Sequence, residues 1–289
     1  MSEPVIGIDL GTTNSCMGVY LADTDSVEIT PNALGKNTTP SWVGFTASGD
    51  IVVGDRARTQ PTWIYDAKRM IGKEFSDEEI QVRKDKWGFN VVEGPKNRCQ
   101  IDVPGKGLLM IEQISAMVLQ AMKKAGEERL GQPVTKAVVT VPAYFNNAQK
   151  QATFDAAKIA GLQCLRIINE PTAAAMAAGI HEQDDENNVL VFDFGGGTFD
   201  ISVLTISDGV IDVQATRGDM NLGGRDIDEA LVEYCLQEFQ KSSGVDLSEN
   251  RNARTRLFQE CERAKVNLSV AYEAKVKVHS FHNDTDLEV

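Results

Sequence analysis

One short pattern occurs twice in this chain, and its recurrence constrains the fold more than any other feature. Val5-Ile6-Gly7-Ile8 is an apolar run that ends in Asp9-Leu10-Gly11-Thr12-Thr13-Asn14-Ser15 and continues as Cys16-Met17-Gly18-Val19-Tyr20. Val189-Leu190-Val191-Phe192 ends in Asp193-Phe194-Gly195-Gly196-Gly197-Thr198 and continues as Phe199-Asp200-Ile201-Ser202-Val203. Each reads as strand, polar turn, strand. The two aspartates stand 184 positions apart. Repetition at that distance is an internal duplication rather than a short-period array, so two related lobes facing a shared cleft are expected.

The stretch 40–110 between the repeats has mixed patterning, with short strands expected at 41–45 and 51–53 and a helix signal at Trp63, Ala67, Met70 and Ile71. It reads as an inserted subdomain. Apolar Ile111, Ile114, Val118 and Met122 predict an amphipathic helix over 111–130, stopped by Gly131 and Pro133. Strand, helix and strand follow at 137–141, 147–160 and 162–168, and an alanine-rich helix opens at Glu170-Pro171 and runs to Ala178. Past the second glycine loop come helices at 226–240 and 252–268, then a hairpin at 274–289 whose second strand has barely begun. The alternation predicts an α/β protein with a largely buried sheet. Lobe I spans 1–188, its core 1–38 and 112–188 surrounding the insertion 39–111. Lobe II is partial and spans 189–289, with a core over 189–223 and a helical and hairpin subdomain over 224–289. The acidic run 181–188 is the expected hinge.

Charge and composition remove several function classes. The 289 residues carry 29 basic and 42 acidic side chains, a formal charge of −13 that repels nucleic acid and anionic membrane. No stretch approaches the roughly 18 apolar residues of a membrane helix, and no secretory signal opens the chain. Five cysteines, odd in number and widely spaced without a CxxC pair, suit reduced thiols. A cytoplasmic protein without nucleic-acid or membrane partners is expected. His181, His279 and His282 have no companion ligands, and Trp42, Trp63 and Trp87 read as packing residues of the insertion.

GxxxxGK[ST], GxGxxG after a strand, HExxH and GxSxG are all missing from the sequence, so P-loop, Rossmann, zincin and hydrolase-elbow readings lose their signatures. The repeated turns still suit a phosphate, because glycine admits close backbone approach and consecutive N–H groups form an anion nest. Thr12, Thr13, Thr198 and the amides of Gly195, Gly196 and Gly197 are the candidate donors. Asp9 and Asp193 each open a loop at the carboxyl end of a strand. Two carboxylates facing a polyphosphate make sense with a divalent cation between them, and magnesium binds one or two carboxylates while keeping several waters.

The segments VIGIDLGTTNSC, DAKRMIG, AVVTVPAYFN, LRIINEPTAAA, VFDFGGGTFDIS and CERAK resemble the ATPase domain of the 70-kDa heat-shock chaperones of the DnaK type. The likeness runs from residue 5 to at least Ser269. It implies an actin-like ATPase fold of duplicated ribonuclease H-like lobes, the second incomplete, that binds ATP or ADP with Mg2+ and hydrolyses ATP, in a molecular chaperone that uses nucleotide state to control protein folding. Cofactor contacts fall on Gly11, Thr12, Thr13, Asn14, Gly195, Gly196, Gly197, Thr198 and Gly224, and metal contacts on Asp9, Asp193 and Asp200. The catalytic set is Lys68, Glu170, Asp193 and Thr198. Lys68 is similar to a lysine that reaches the γ-phosphate, and Glu170 to a glutamate that orients water. Glu262, Lys265 and Ser269, at i, i+3 and i+7, would face the adenosine. From pattern alone Lys68 is a solvated helix charge, Glu170 a helix-cap residue, Pro142 a strand terminator, and Glu262 with Lys265 a surface salt bridge. The resemblance instead makes Pro142 a switch proline.

Implied partners are J-domain co-chaperones and nucleotide-exchange factors, with client proteins engaged only through a domain absent here. A nucleotide-dependent binding module without turnover is the alternative, and a small-molecule kinase a third reading. The sequence also departs from the family. Val266 stands where an adenine-stacking arginine is usual, Lys150 where an arginine is usual, Ala178 for a tyrosine, and Arg225 for a glutamate. No double glycine follows Gly224, so a second adenosine loop is missing and a weakened grip on adenine is expected, with apolar surface exposed on lobe II.

Overall fold

A computed structural model describes residues 3–180 and 186–289. His181 and most of the expected hinge lie outside the described residues, and Asn187 and Asn188 already belong to a strand.

Side-chain alternation builds lobe I outward from its first strand. In β1, Val5–Leu10, the side chains of Ile6, Ile8 and Leu10 are buried, which turns Gly7 and Asp9 to the opposite face. β2, Asn14–Leu21, returns antiparallel to β1 and also pairs with β3, Ser26–Ile29, and β4, Thr38–Pro40. The insertion follows. β5, Val43–Phe45, is flanked by β6, Ile51–Val53, and β7, Thr62–Ile64. After α1, Ala67–Met70, and α2, Glu78–Arg83, a second small sheet has β9, Cys99–Val103, between β8, Asn90–Glu93, and β10, Gly107–Met110.

Two expectations for this region need correcting. Trp63 stands on β7, not on a helix, and the helix is a single turn. Left-handed backbone at Asp66 (φ 58°) and Gly72 (φ 70°) interrupts it on both sides. The boundary at 39 also falls inside β4, which is still paired with lobe I.

α3, Ile111–Leu130, lays Ile114, Val118, Leu119 and Met122 onto the lobe I sheet and stops at Gly131 in the left-handed region (φ 66°). β11, Lys136–Val141, joins β1 in parallel, and β12, Gln163–Asn169, joins β11 in parallel after α4, Asn147–Ile159. The resulting order is β12-β11-β1-β2-β3, with β4 also on β2. One continuous core unites this sheet, α3, α4 and the insertion.

α5, Glu170–Ala177, leads toward lobe II, where β13, Asn187–Phe194, β14, Phe199–Ser207, and β15, Val210–Asp219, form an antiparallel sheet. Its register reproduces the first hairpin. Asp9 stands opposite Cys16 in β1 and β2, and Asp193 opposite Asp200 in β13 and β14. Ala175 of α5 packs with Leu204 and Ile206 on one face. On the other, Leu190 is 63% exposed and Phe192 64%, so the largely buried sheet expected from sequence holds for lobe I only.

α6, Gly224–Ser243, and α7, Arg251–Asn267, share a separate core with β16, Lys277–His282, and β17, Thr285–Glu288. The hairpin is closed rather than barely begun, since Val289 and Val276 exchange both main-chain hydrogen bonds.

Candidate active site

The turn after β1 and the turn after β13 open into one cleft of about 520 Å³. Asp9, Gly11, Thr12, Thr13 and Asn14 line it from lobe I, and Asp193, Gly195, Gly196 and Thr198 from lobe II. The two loops meet only because glycine lacks a side chain. A Cβ on Gly196 would lie 2.0 Å from Thr13 Oγ1, and one on Gly197 would lie 2.6 Å from Thr12 Cγ2. Gly224, the first residue of α6, donates its N–H to Gly195 O at 3.0 Å, and the next amide, of Arg225, donates to Gly196 O at 2.9 Å.

One expected phosphate donor is not free. The Gly195 N–H donates to Thr198 O at 2.9 Å, closing the turn on itself. The amides of Gly196 and Gly197 have no such backbone partner among the described residues.

Lys68 is buried, contrary to the solvated charge that spacing alone suggests. α1 carries it into the cleft, where Nζ donates to Glu170 Oε1 at 2.5 Å. Glu170 starts α5 directly after β12, so the end of this edge strand brings its carboxylate to Lys68 of the insertion. Burial raises the Glu170 pKa, Lys68 opposes that rise, and Asp9 and Asp193 add to it. Burial likewise raises Asp193 and Asp200, each reinforced by a neighbouring carboxylate, Asp9 for the former and Asp193 for the latter.

Carboxylate oxygens of Glu170, Asp193 and Asp200 lie within 4.8 Å of one another. The expected metal set was Asp9, Asp193 and Asp200. Geometry puts Glu170 in the close group, while Asp9 lines the same cleft and accepts a hydrogen bond from Thr140 Oγ1 at 2.8 Å. Glu170, outside the expected metal set, is 23 positions from Asp193 in sequence and reaches the group from the start of α5. Thr13 Oγ1 and Asp200 Oδ2 are both buried without a hydrogen-bond partner among the described residues. A hydroxyl donor suits a phosphate oxygen and a carboxylate oxygen suits a cation, so the residues fit a magnesium-bound polyphosphate.

The adenosine candidates are distributed differently. Glu262 accepts from Arg58 Nη2 at 2.6 Å, across from the insertion. Lys265 Nζ reaches Asp228 Oδ2 at 2.8 Å and Gly224 O at 2.9 Å, both on α6. Ser269 is exposed and lies past the end of α7, so the i+7 position is not on the helix. Its amide donates to Val266 O in the terminal turn. Val266 itself is 59% exposed.

Sequence reading found no role for Arg58, Thr140 or Asp66. Arg58 lies over the Trp42 ring at 4.0 Å while pairing with Glu262, so that tryptophan packs against a cation as well as against Trp63. Nothing in the local pattern marks Arg58, whose partner is 204 positions away. Pro142 is buried where β11 ends, with its carbonyl accepting from the Phe145 amide, as a strand terminator would be. His279 pairs with Asp286, so it serves the hairpin rather than a metal.

Matched hairpins with acidic glycine loops, set face to face across one cleft, define a protein of the actin-like ATPase fold. The family described as Hsp70 protein matches residues 5–289. The chain is 49% identical over 292 residues to the heat shock 70 kDa protein BIP3 of Oryza sativa subsp. japonica, an overlap of 98% of this chain and 43% of that protein. It is 48% identical over 291 residues to the heat shock 70 kDa protein of Neurospora crassa, covering 98% of this chain and 45% of that one. The chain belongs to the Hsp70 family, and it spans less than half the length of these relatives.

Proposed function

We propose that the chain binds magnesium-ATP between its two glycine loops and hydrolyses it, and that nucleotide state governs a chaperone's hold on its clients. The observation that carries this reading is the buried Lys68–Glu170 pair beside Asp193 and Asp200, within a cleft lined by both loops. Glu170, Asp193 and Asp200 would hold the metal, with Asp9 beside them. Magnesium, when bound, neutralises charge on the transferring phosphoryl group. The amides of Gly196 and Gly197 and the hydroxyls of Thr12, Thr13 and Thr198 orient the phosphate chain. Lys68 supplies a fixed ammonium where negative charge develops, and Glu170 positions the attacking water and accepts its hydrogen bond.

A second reading is a nucleotide-dependent module that engages co-chaperones with little turnover. It is favoured by the adenosine side, where Glu262 and Lys265 are already engaged in ion pairs and Val266 offers no stacking cation. J-domain proteins and nucleotide-exchange factors are the proposed partners, and five free cysteines support a reducing, cytoplasmic setting. Single-turnover phosphate release from magnesium-ATP separates the readings. Release that depends on Lys68 supports the ATPase, whereas tight binding without release supports the module.

A further inference from the structure

One residue that ties the lobes together does not line the phosphate cleft. Arg225, the second residue of α6, is only 4% exposed although it carries a charge. Its Nε lies 2.8 Å from Asp66 Oδ1, across the boundary between helical subdomain and insertion. Its guanidinium carbon lies over two rings, 4.5 Å from the centroid of Tyr65 and 4.3 Å from that of Phe258. A buried cation held against two aromatic rings and ion-paired at its edge is restricted in orientation. Asp66 is equally fixed. It is buried, its backbone is left-handed, and Oδ2 accepts from Trp87 Nε1 at 3.2 Å.

The main chain of Arg225 points the other way. Its N–H donates to Gly196 O, on the second glycine loop. One residue therefore grips the loop with its backbone and, with its side chain, the segment two positions before Lys68. Arg69 and Arg83 both pair with Asp226 on the same seam, but Asp226 stays partly exposed whereas the Arg225–Asp66 pair is enclosed.

We propose that Arg225 is a positioning residue that sets the placement of Lys68 relative to the second glycine loop by pinning Asp66 to the start of α6. The kinetic half of this inference rests on the ATPase reading, and the structural half does not.

Two variants of the full chain test it. Arg225→Met removes the cation, and Arg225→Lys keeps a charge opposite Asp66 but abolishes the two-ring stack. In nucleotide-free protein, hydrogen exchange at the amides of Ala67–Met70 rises about tenfold in Arg225→Met and by less in Arg225→Lys, while α3 exchanges as in the parent. In single turnover with magnesium-ATP, Arg225→Met slows phosphate release about tenfold while the ATP Kd stays within about threefold, because a misplaced catalytic group costs rate rather than grip. The same change has no further effect in a Lys68→Ala background. Parent-like exchange at Ala67–Met70 in both variants overturns the proposal, as does a rate loss that persists in the Lys68→Ala background. If Arg225→Met does not fold, Arg225→Lys decides alone: raised exchange confined to Ala67–Met70 supports the pin, and parent-like exchange refutes it. A parent chain that does not bind ATP contradicts the ATPase reading and leaves the exchange result to judge the pin.

Discussion

Lys68 Nζ lies 2.5 Å from Glu170 Oε1, joining the inserted subdomain to the first residue of a lobe I helix across 102 positions of chain. Both side chains are largely enclosed, at 8% and 15% exposure. Breaking an enclosed ion pair by removing one partner is costly, because the survivor stays buried without its counter-charge. The pair therefore fixes an ammonium and a carboxylate side by side at the inner wall of the cleft.

Replacing Lys68 with alanine is expected to slow single-turnover phosphate release by about 10²–10³, the usual loss when one preorganised electrostatic group is removed. The phosphate loops remain, so magnesium-ATP still binds. An unchanged release rate contradicts this role of Lys68 in the ATPase reading.

The raised pKa values of Glu170, Asp193 and Asp200 set a pH dependence. Each carboxylate protonates at higher pH than its ordinary range, so magnesium affinity falls as pH drops from neutral toward that range. Folding responds with the opposite sign. A raised folded-state pKa favours the protonated native protein, so this contribution is full below the ordinary carboxylate range and lost as pH rises through the folded values. Asp200→Asn is therefore expected to melt a few degrees higher without metal at neutral pH, yet to bind magnesium about tenfold more weakly. Calorimetry and magnesium titration on the same sample check both halves.

Gly196→Ala places a methyl group where Thr13 Oγ1 already stands, with 2.0 Å between them. The two loops must separate. Nucleotide affinity is expected to fall by about tenfold or more while the far-ultraviolet spectrum stays that of the parent, since the lobe cores do not involve this contact. Equal affinity in parent and variant argues against loops that act as one clamp.

Leu190, Phe192 and Phe194 form an apolar stripe on the open face of the lobe II sheet. Sedimentation is expected to reveal self-association that weakens with Leu190→Ser and Phe192→Ser together, because a contiguous exposed apolar face favours burial against any copy that reaches it. A monomer at all accessible concentrations contradicts this.

Much of this architecture was readable from pattern. The Asp-Gly-Thr repeat predicted both hairpins, and the register of Asp9 with Cys16 and Asp193 with Asp200 follows from it. The apolar spacing of Ile111, Ile114, Val118 and Met122 gave α3, because a helix that covers a sheet must show that stripe. What stayed hidden was long-range. Trp63 fits a helical period by coincidence, and left-handed backbone at Asp66 confines the helix to a single turn. Glu170 meets Asp193 and Asp200 across the cleft from a different sheet, not through sequence spacing. Arg225 stands out in the sequence only as a departure from the family's usual glutamate, and its neighbours Tyr65, Asp66 and Phe258 come together with it only in the fold. Ser269 shows the converse, where a spacing that fits a helical face falls past the end of α7.

The central claim is that two loops from matching lobes clasp a single metal-bound polyphosphate. Crystals soaked with manganese-ATP test it through anomalous scattering. The account predicts a manganese peak beside Glu170, Asp193 and Asp200, with the triphosphate lying between Thr13 and Gly196. A manganese peak away from that group, or a triphosphate bound to one loop alone, would contradict it.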